Sequence, residues 1–427
     1  MKKVILTLSI FCVLSAFADK TPIRPLGNGT EDRPYRMASL ENFVWLSENL
    51  STFQEGTTVY CKQTQDILAS ETKGEEWRES GGFPLIMTYH GICNIKSFIL
   101  NYDGQGFVIK NPYIRMPGKY EVYVENVGIF RYGTFQLKNI VIEDAEVQYC
   151  GRLGSGILVG KVQGNSFIEN CSVSGTIESK LPEGLFVEGI GGLIGQVYSQ
   201  YNDSISISQC KASIQVSGQS SIGGLIGGVN METNSHLRIS RCHAEIDAEY
   251  SSGFGEAGGL IGAYCADGNA EFSIEDCYAS CNLEMASSFP WASTFAGGFI
   301  GFLGFRPGLS TTNLINDVSV TISRCYTTGN INGDFKRTGG FLAFKSVKSL
   351  TVTNCYFDTT TFGLDDSFAI AKTHDELKSE VTFENWDFDN IWYIEEGVSL
   401  PDLAWNLPEP ALLFVGALLL VFLYRRR

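Results

Sequence analysis

The chain has 427 residues, 32 Lys and Arg against 47 Asp and Glu, and a net charge of −15. So acidic a surface argues against nucleic acid, which needs clustered cations. Forty-six glycines with no three-residue period exclude collagen; with only 12 prolines and many short β-branched runs, they point to an all-β protein with tight corners.

The chain opens MKKVILTLSIFCVLSAFADK. Lys2 and Lys3 form a positive start, Val4 to Leu14 an apolar run, and Ala16-Phe17-Ala18 a small-x-small cleavage site. Residues 1–18 are therefore expected to be a secretory signal peptide, cut before Asp19. Cys12 lies within it, so eleven cysteines remain. In an exported protein cysteines ordinarily form a disulfide framework.

Two motifs alternate along the middle of the chain, and internal repetition is the first thing to weigh. Gly-Gly-Leu-Ile-Gly occurs at 191–195, 223–227 and 258–262, then as Gly-Gly-Phe-Ile-Gly at 297–301 and Gly-Gly-Phe-Leu-Ala at 339–343. A looser copy, Ser-Gly-Ile-Leu-Val-Gly, stands at 155–160. Between the copies stand cysteine segments such as SISQCKASIQV, RISRCHAEIDA and TISRCYTTGNI.

Period-2 alternation assigns the faces. Ile205 and Ile207 point one way, and a shifted set, Cys210, Ala212, Ile214 and Val216, begins at the cysteine. A parity break inside a run of strands is a corner. The residue before each cysteine is Asn170, Gln209, Arg241, Asp276, Arg324 or Asn354, polar every time. Two strands meeting at that corner plus a Gly-Gly-Leu-Ile-Gly strand give three short strands per repeat. No such unit buries its own apolar face, so neighbours must stack. The fold class expected is all-β, a right-handed parallel β-helix, the hand following the rule for parallel crossovers.

Stacked about 4.8 Å apart, the cysteines should form a buried ladder of small hydrophobes. In-register side chains point in parallel, a poor geometry for disulfides, so reduced thiols are favoured. Cys61 and Cys93 lie outside the ladder and are the better disulfide candidates. No Cys-x2-Cys pair suggests metal, and no metal or cofactor is expected.

The chemistry-bearing residues are sparse. His374 opens THDELK, which is not a His-Glu-x-x-His zinc motif, and no Gly-x-Ser-x-Gly elbow or P-loop occurs. His243 is expected outward at the surface. Glu245 and Asp247 share one rung without a neighbouring rung completing a cluster, and Asp365-Asp366 is expected in solvent. The reading is a protein that is not an enzyme; the competing reading is a polysaccharide lyase or glycoside hydrolase, which would need converging carboxylates. Tyr278, Tyr326 and Tyr356 fall at one outward position on successive rungs. They could stack on sugar rings or on each other. Phe289 and Trp291, in the insertion MASSFPWASTF, are a second binding candidate.

The chain ends LPEPALLFVGALLLVFLYRRR. Its apolar run, 411–424, is shorter than the roughly 20 residues that span a bilayer. Pro408-Glu409-Pro410, the apolar stretch and Arg425, Arg426 and Arg427 resemble, in order, the PEP-CTERM sorting signal of Gram-negative bacteria. That resemblance implies an exosortase as partner, transient contact with the inner membrane through 411–424, and delivery to the envelope or its exopolysaccharide. The alternative is a permanent C-terminal anchor.

The repeats, with GTEDRPYRMASLENFVWLSEN (29–49) before them and CYFDTTTFG and FENWDFDNIWYIEEGVSLPDLAW after them, resemble the GLUG-repeat family of secreted β-helical proteins. The resemblance implies a short N-terminal helical cap over about 30–82, rungs over about 83–357 and a C-terminal cap over about 358–405. The body is then 19–405 and the sorting tail 406–427. The resemblance is specific to fold and poor in function; the role expected is structural or adhesive at the cell surface or in the extracellular matrix, with exopolysaccharide as a candidate ligand.

Overall fold

The computed structural model describes residues 21–77, 82–88, 97–115, 126–148, 153–179, 187–218, 220–250, 255–266, 268–285, 294–304, 318–363 and 366–407. Residues 1–18, Cys93, Phe289, Trp291, residues 305–317, Asp365 and the tail from 408 onward lie outside them.

The chain forms a parallel β-helix, its strands stacked into sheets of 17, 11 and 7 members. One rung shows the pattern: Gly255–Gly258, Ile261–Ala266, Glu271–Glu275 and Tyr278–Met285, each pairing in parallel with its counterpart in the next rung. The Gly-Gly-Leu-Ile-Gly segment, expected to be one strand, bends in its middle and contributes to two strands, so a rung carries four. The bend is so tight that only glycine fits. A Cβ on Gly224 would stand 2.2 Å from the Gly259 carbonyl oxygen and 2.7 Å from the Ala244 Cβ; one on Gly227 would stand 2.2 Å from the Ile190 nitrogen. The motif repeats because backbone meets backbone there in every rung.

The second corner lies where the parity breaks. Asn170, Gln209, Arg241, Asp276, Arg324 and Asn354 all have φ near 50°, the left-handed region, as does Asn139 one rung earlier. Their polar side chains pair along the outside: Asn170 donates to Asn139 at 2.8 Å, and the Arg324 guanidinium grips the Asp276 carboxylate at 2.7 and 2.8 Å. Inside, Cys171, Cys210, Cys242, Cys277, Cys325 and Cys355 form the expected ladder, each at most 1% exposed and each a free thiol. The ladder does more than fill space. Each thiol donates to the carbonyl two residues earlier across the corner, for example Cys210 Sγ to Ser208 O at 3.1 Å, and Cys210 N–H donates to the sulfur of Cys242 at 3.4 Å. Cys61 is also buried and free, in register between Tyr35 and Tyr102.

Both ends are covered. At the first rungs the helix α1 (Leu40–Glu48) buries Leu40, Phe43, Val44 and Leu46, with Phe43 edge-on to Phe83 at 5.0 Å. At the last, Asp366 accepts the backbone N–H of Phe341 and Leu342. The expectation that this acidic pair faces solvent is corrected for Asp366, which closes the final bend.

The chain then reverses. Residues 376–407 run back along the outside of the corner as a strap, forming a second core of Leu377, Phe383, Trp386, Trp392 and Leu403 with Tyr278, Tyr326 and Tyr356. Among the described residues, no helix is long and apolar enough to cross a membrane.

Candidate functional site

The fourth strands of successive rungs, from Val141–Gln148 to Tyr356–Asp358, make one sheet whose inner face carries the apolar set. Its outer face is the complement of that set, divided into an aromatic row beside the corner and polar rows beyond.

The aromatic row begins at the residue after each cysteine: Lys211, His243, Tyr278, Tyr326 and Tyr356 stand in register on consecutive rungs. The three tyrosines do point outward from the helix, yet they are not exposed. Tyr278, Tyr326 and Tyr356 are 8%, 3% and 1% accessible beneath the strap. Tyr278 and Tyr326 stack on each other at 5.1 Å, and Tyr356 packs edge-on to Phe383 at 5.1 Å. Their hydroxyls are committed too: Tyr278 donates to Asp402 at 2.8 Å and Tyr326 to the Pro401 carbonyl, while Tyr356 accepts Glu384 N–H at 3.1 Å. As folded, the row is packing, not a platform for sugar rings.

His243 is likewise corrected from surface to interior. It is 3% exposed, with its ring 4.6 Å from Tyr278 and stacked 6.1 Å from Trp405. Burial, with Lys211 nearby, pushes its pKa down to about 4 against an opposing pull from Asp402. His236 and His374 pair with Glu271 and Asp358, at 3.1 and 2.7 Å.

The polar rows are open. One runs Glu146, Thr176, Gln215, Asp247, Asn282 and Asn330; the next runs Gln148, Glu178, Ser217, Glu249, Glu284 and Asn332. Together they line two adjoining concavities of about 730 and 600 Å³. Neither is lined by Lys or Arg among the described residues. Asn282 donates to Asp247 at 3.1 Å and Ser213 to Glu245 at 3.2 Å, so each acid is bonded to a polar neighbour on an adjoining rung. Sequence reading missed these rows because it followed the outward face only at the residue beside each cysteine and at single acids. Taking the fifth and seventh residues after each cysteine and stacking the rungs would have found them.

Within the described residues no group of three or more His, Cys, Asp or Glu side chains could hold a metal ion. Of the sequence candidates, the three tyrosines are together under the strap; Phe289, Trp291, Pro408, Glu409, Pro410, Arg425, Arg426 and Arg427 lie outside the described residues.

No protein-family model matches the chain. Over 173 residues, 40% of its length, it is 30% identical to halomucin from Haloquadratum walsbyi, and it spans 2% of that protein's length. A crystal structure described as that of "a putative immunoglobulin A1 protease from Bacteroides ovatus" is similar with TM-score 0.50 and 20% identity, over 89% of this chain and 95% of that one. The expectation that the chain is not an enzyme is corrected by this neighbour, a protein of the same fold that carries an enzyme's name. At that identity, what the likeness shows is the fold: this chain is a β-helix of the same extent.

Proposed function

We propose that this is an exported protein of the cell surface or extracellular matrix that holds an extended exopolysaccharide chain along the open polar rows, in a structural or adhesive role. The observation that carries the reading is the uncovered pair of rows, Thr176 to Asn330 and Glu178 to Asn332, beside an aromatic row that the strap closes off. Side-chain amides, hydroxyls and carboxylates suit the hydroxyl groups of a glycan. Rungs about 4.8 Å apart repeat those groups at nearly the spacing of one sugar residue. Like-charge repulsion from Asp247, Glu249 and Glu284 disfavours polyanionic chains. Export is supported by the signal-like N-terminus and by the tail's resemblance to an exosortase substrate, and similarity to part of halomucin is in keeping with it.

A glycan-array screen of the full chain tests the reading, with Asn282→Ala and Gln215→Ala as groove variants. Binding of neutral or amino-sugar glycans that weakens several-fold in both variants is expected. No glycan bound, or binding indifferent to both, overturns it. For the tail, mass spectrometry of the envelope fraction should find a form ending near residue 408; recovery of intact Arg427 after membrane extraction would establish a permanent anchor instead.

A further inference from the structure

We propose that the end of the strap, residues 399–407, is an acid-released latch over the aromatic row, and that His243 is the group that opens it. The row sets four rings under the strap, and three of them are tyrosines, which stay neutral through the acid range. His243 continues the same stack but gains charge in mild acid.

The geometry leaves that charge nowhere to go. Nδ1 of His243 is buried and has no hydrogen-bond partner. The ring lies between Tyr278 on the next strand and Trp405 of the strap. The charged groups around it are few. Lys211 stands directly in register on the preceding strand, a like charge to an imidazolium. Glu245, two residues along the same strand, is bonded to Ser213. Asp402 of the strap is the carboxylate that draws the imidazole pKa up, and it already accepts from the Tyr278 hydroxyl, the Leu403 amide and the Asn406 side chain. Protonation of His243 therefore buries a positive charge next to a lysine with no acceptor at Nδ1, which the attraction of the Tyr278 and Trp405 ring faces and of Asp402 offsets only in part.

The direction follows from linkage. Burial, to which the Trp405 ring of the strap contributes, and Lys211 lower the imidazole pKa from 6.5 to about 4 against the pull of Asp402, so docking favours the neutral ring. Docking is at full strength above pH 6.5, weakens as pH falls from 6.5 to about 4, and changes no further below that on account of this group. The two values cap the loss at about 300-fold in the docking equilibrium. This end of the strap is anchored by Asp402 and Pro401, which accept from the Tyr278 and Tyr326 hydroxyls, by the buried Leu403, and, nearest His243, by the Trp405 indole donating to the Arg241 carbonyl at 3.1 Å and Lys211 donating to Asn406 at 3.2 Å. Release at this end uncovers the Tyr278 face while Trp386 and Phe383 stay docked on Tyr356.

Hydrogen exchange of the full chain, corrected for intrinsic rates and read on peptides covering 399–407, decides the matter. Wild-type protection should fall by up to about 300-fold between pH 6.5 and 4, while peptides covering the cysteine ladder hold. His243→Phe, which keeps a ring and loses the titration, should be flat over that window, and Asp402→Asn, which removes the charge that opposes the downshift, should extend the fall in protection to lower pH. A flat wild type, or a His243→Phe variant that still releases, overturns the proposal. Should His243→Phe fail to fold, NMR titration of carbon-13-labelled histidine in the wild type decides: a midpoint near 4 that coincides with release is expected, and one at 6.5 or above overturns it.

Discussion

The hydroxyl of Tyr278 donates to the carboxylate of Asp402 at 2.8 Å, joining residues 124 positions apart. Around that bond the strap buries Trp392, 1% exposed, whose indole N–H donates to Asp276 at the corner. Trp392→Ala removes the largest apolar surface of the second core and a hydrogen bond with it. Such truncations cost about 3–5 kcal/mol. Urea unfolding should show that loss, and a cost under about 1 kcal/mol would mean that the strap contributes little to stability.

The cysteine ladder gives a chemical test. Burial pushes the thiols of Cys171, Cys210, Cys242 and Cys325 well above the ordinary range, which suppresses the reactive thiolate; Cys277, drawn down to about 6 against its burial by hydrogen bonds with Cys242 and Cys325, is shielded by its lack of exposure alone. In the native protein a thiol reagent should modify the half-buried Cys265 first and leave the ladder intact; under non-reducing denaturation all of these cysteines should react. Ladder members that stay unreactive under denaturation would be disulfide-bonded. Cys242→Ser keeps the size but places a hydroxyl in an apolar stack, at a cost of about 1–3 kcal/mol.

Two glycine substitutions separate close approach from conformational freedom. Gly224→Ala drives a methyl into backbone and into Ala244, and should cost at least about 1–3 kcal/mol as overpacking. Gly56 has φ +71° but open space around its Cβ position, so Gly56→Ala should cost about 1–2 kcal/mol from the left-handed backbone alone. Thermal unfolding of the pair should order them that way, and the reverse order would contradict the bend geometry.

Much of this architecture was legible because a solenoid writes its geometry in repetition. The parity break at Cys210 located the corner, and the polar residues before the cysteines proved to be the left-handed ones. The double glycines were visible as a motif, but their reason, a bend in which Gly224 faces Ala244, exists only when rungs are stacked. What alternation could not show was the strap. Period-2 reading placed Tyr278 and His243 outside the helix, correctly, and had no means of knowing that residues beyond 376 return to cover them. Contacts between Trp405 and Arg241 have no local signal at all.

The strap also changes what kind of cooperativity this protein can have. In a plain stack each rung touches only its neighbours, so stability is a sum of nearest-neighbour terms and the end rungs can peel away singly. Here one segment bonds Asn354, Tyr326, Tyr278, Arg241 and Lys211 on five consecutive rungs. Loss of the last rung pulls against contacts made four rungs away. The C-terminal half should therefore melt as one unit whose size is set by the length of the strap rather than by the repeat, and cutting the strap should give back the graded, rung-by-rung transition of an ordinary array.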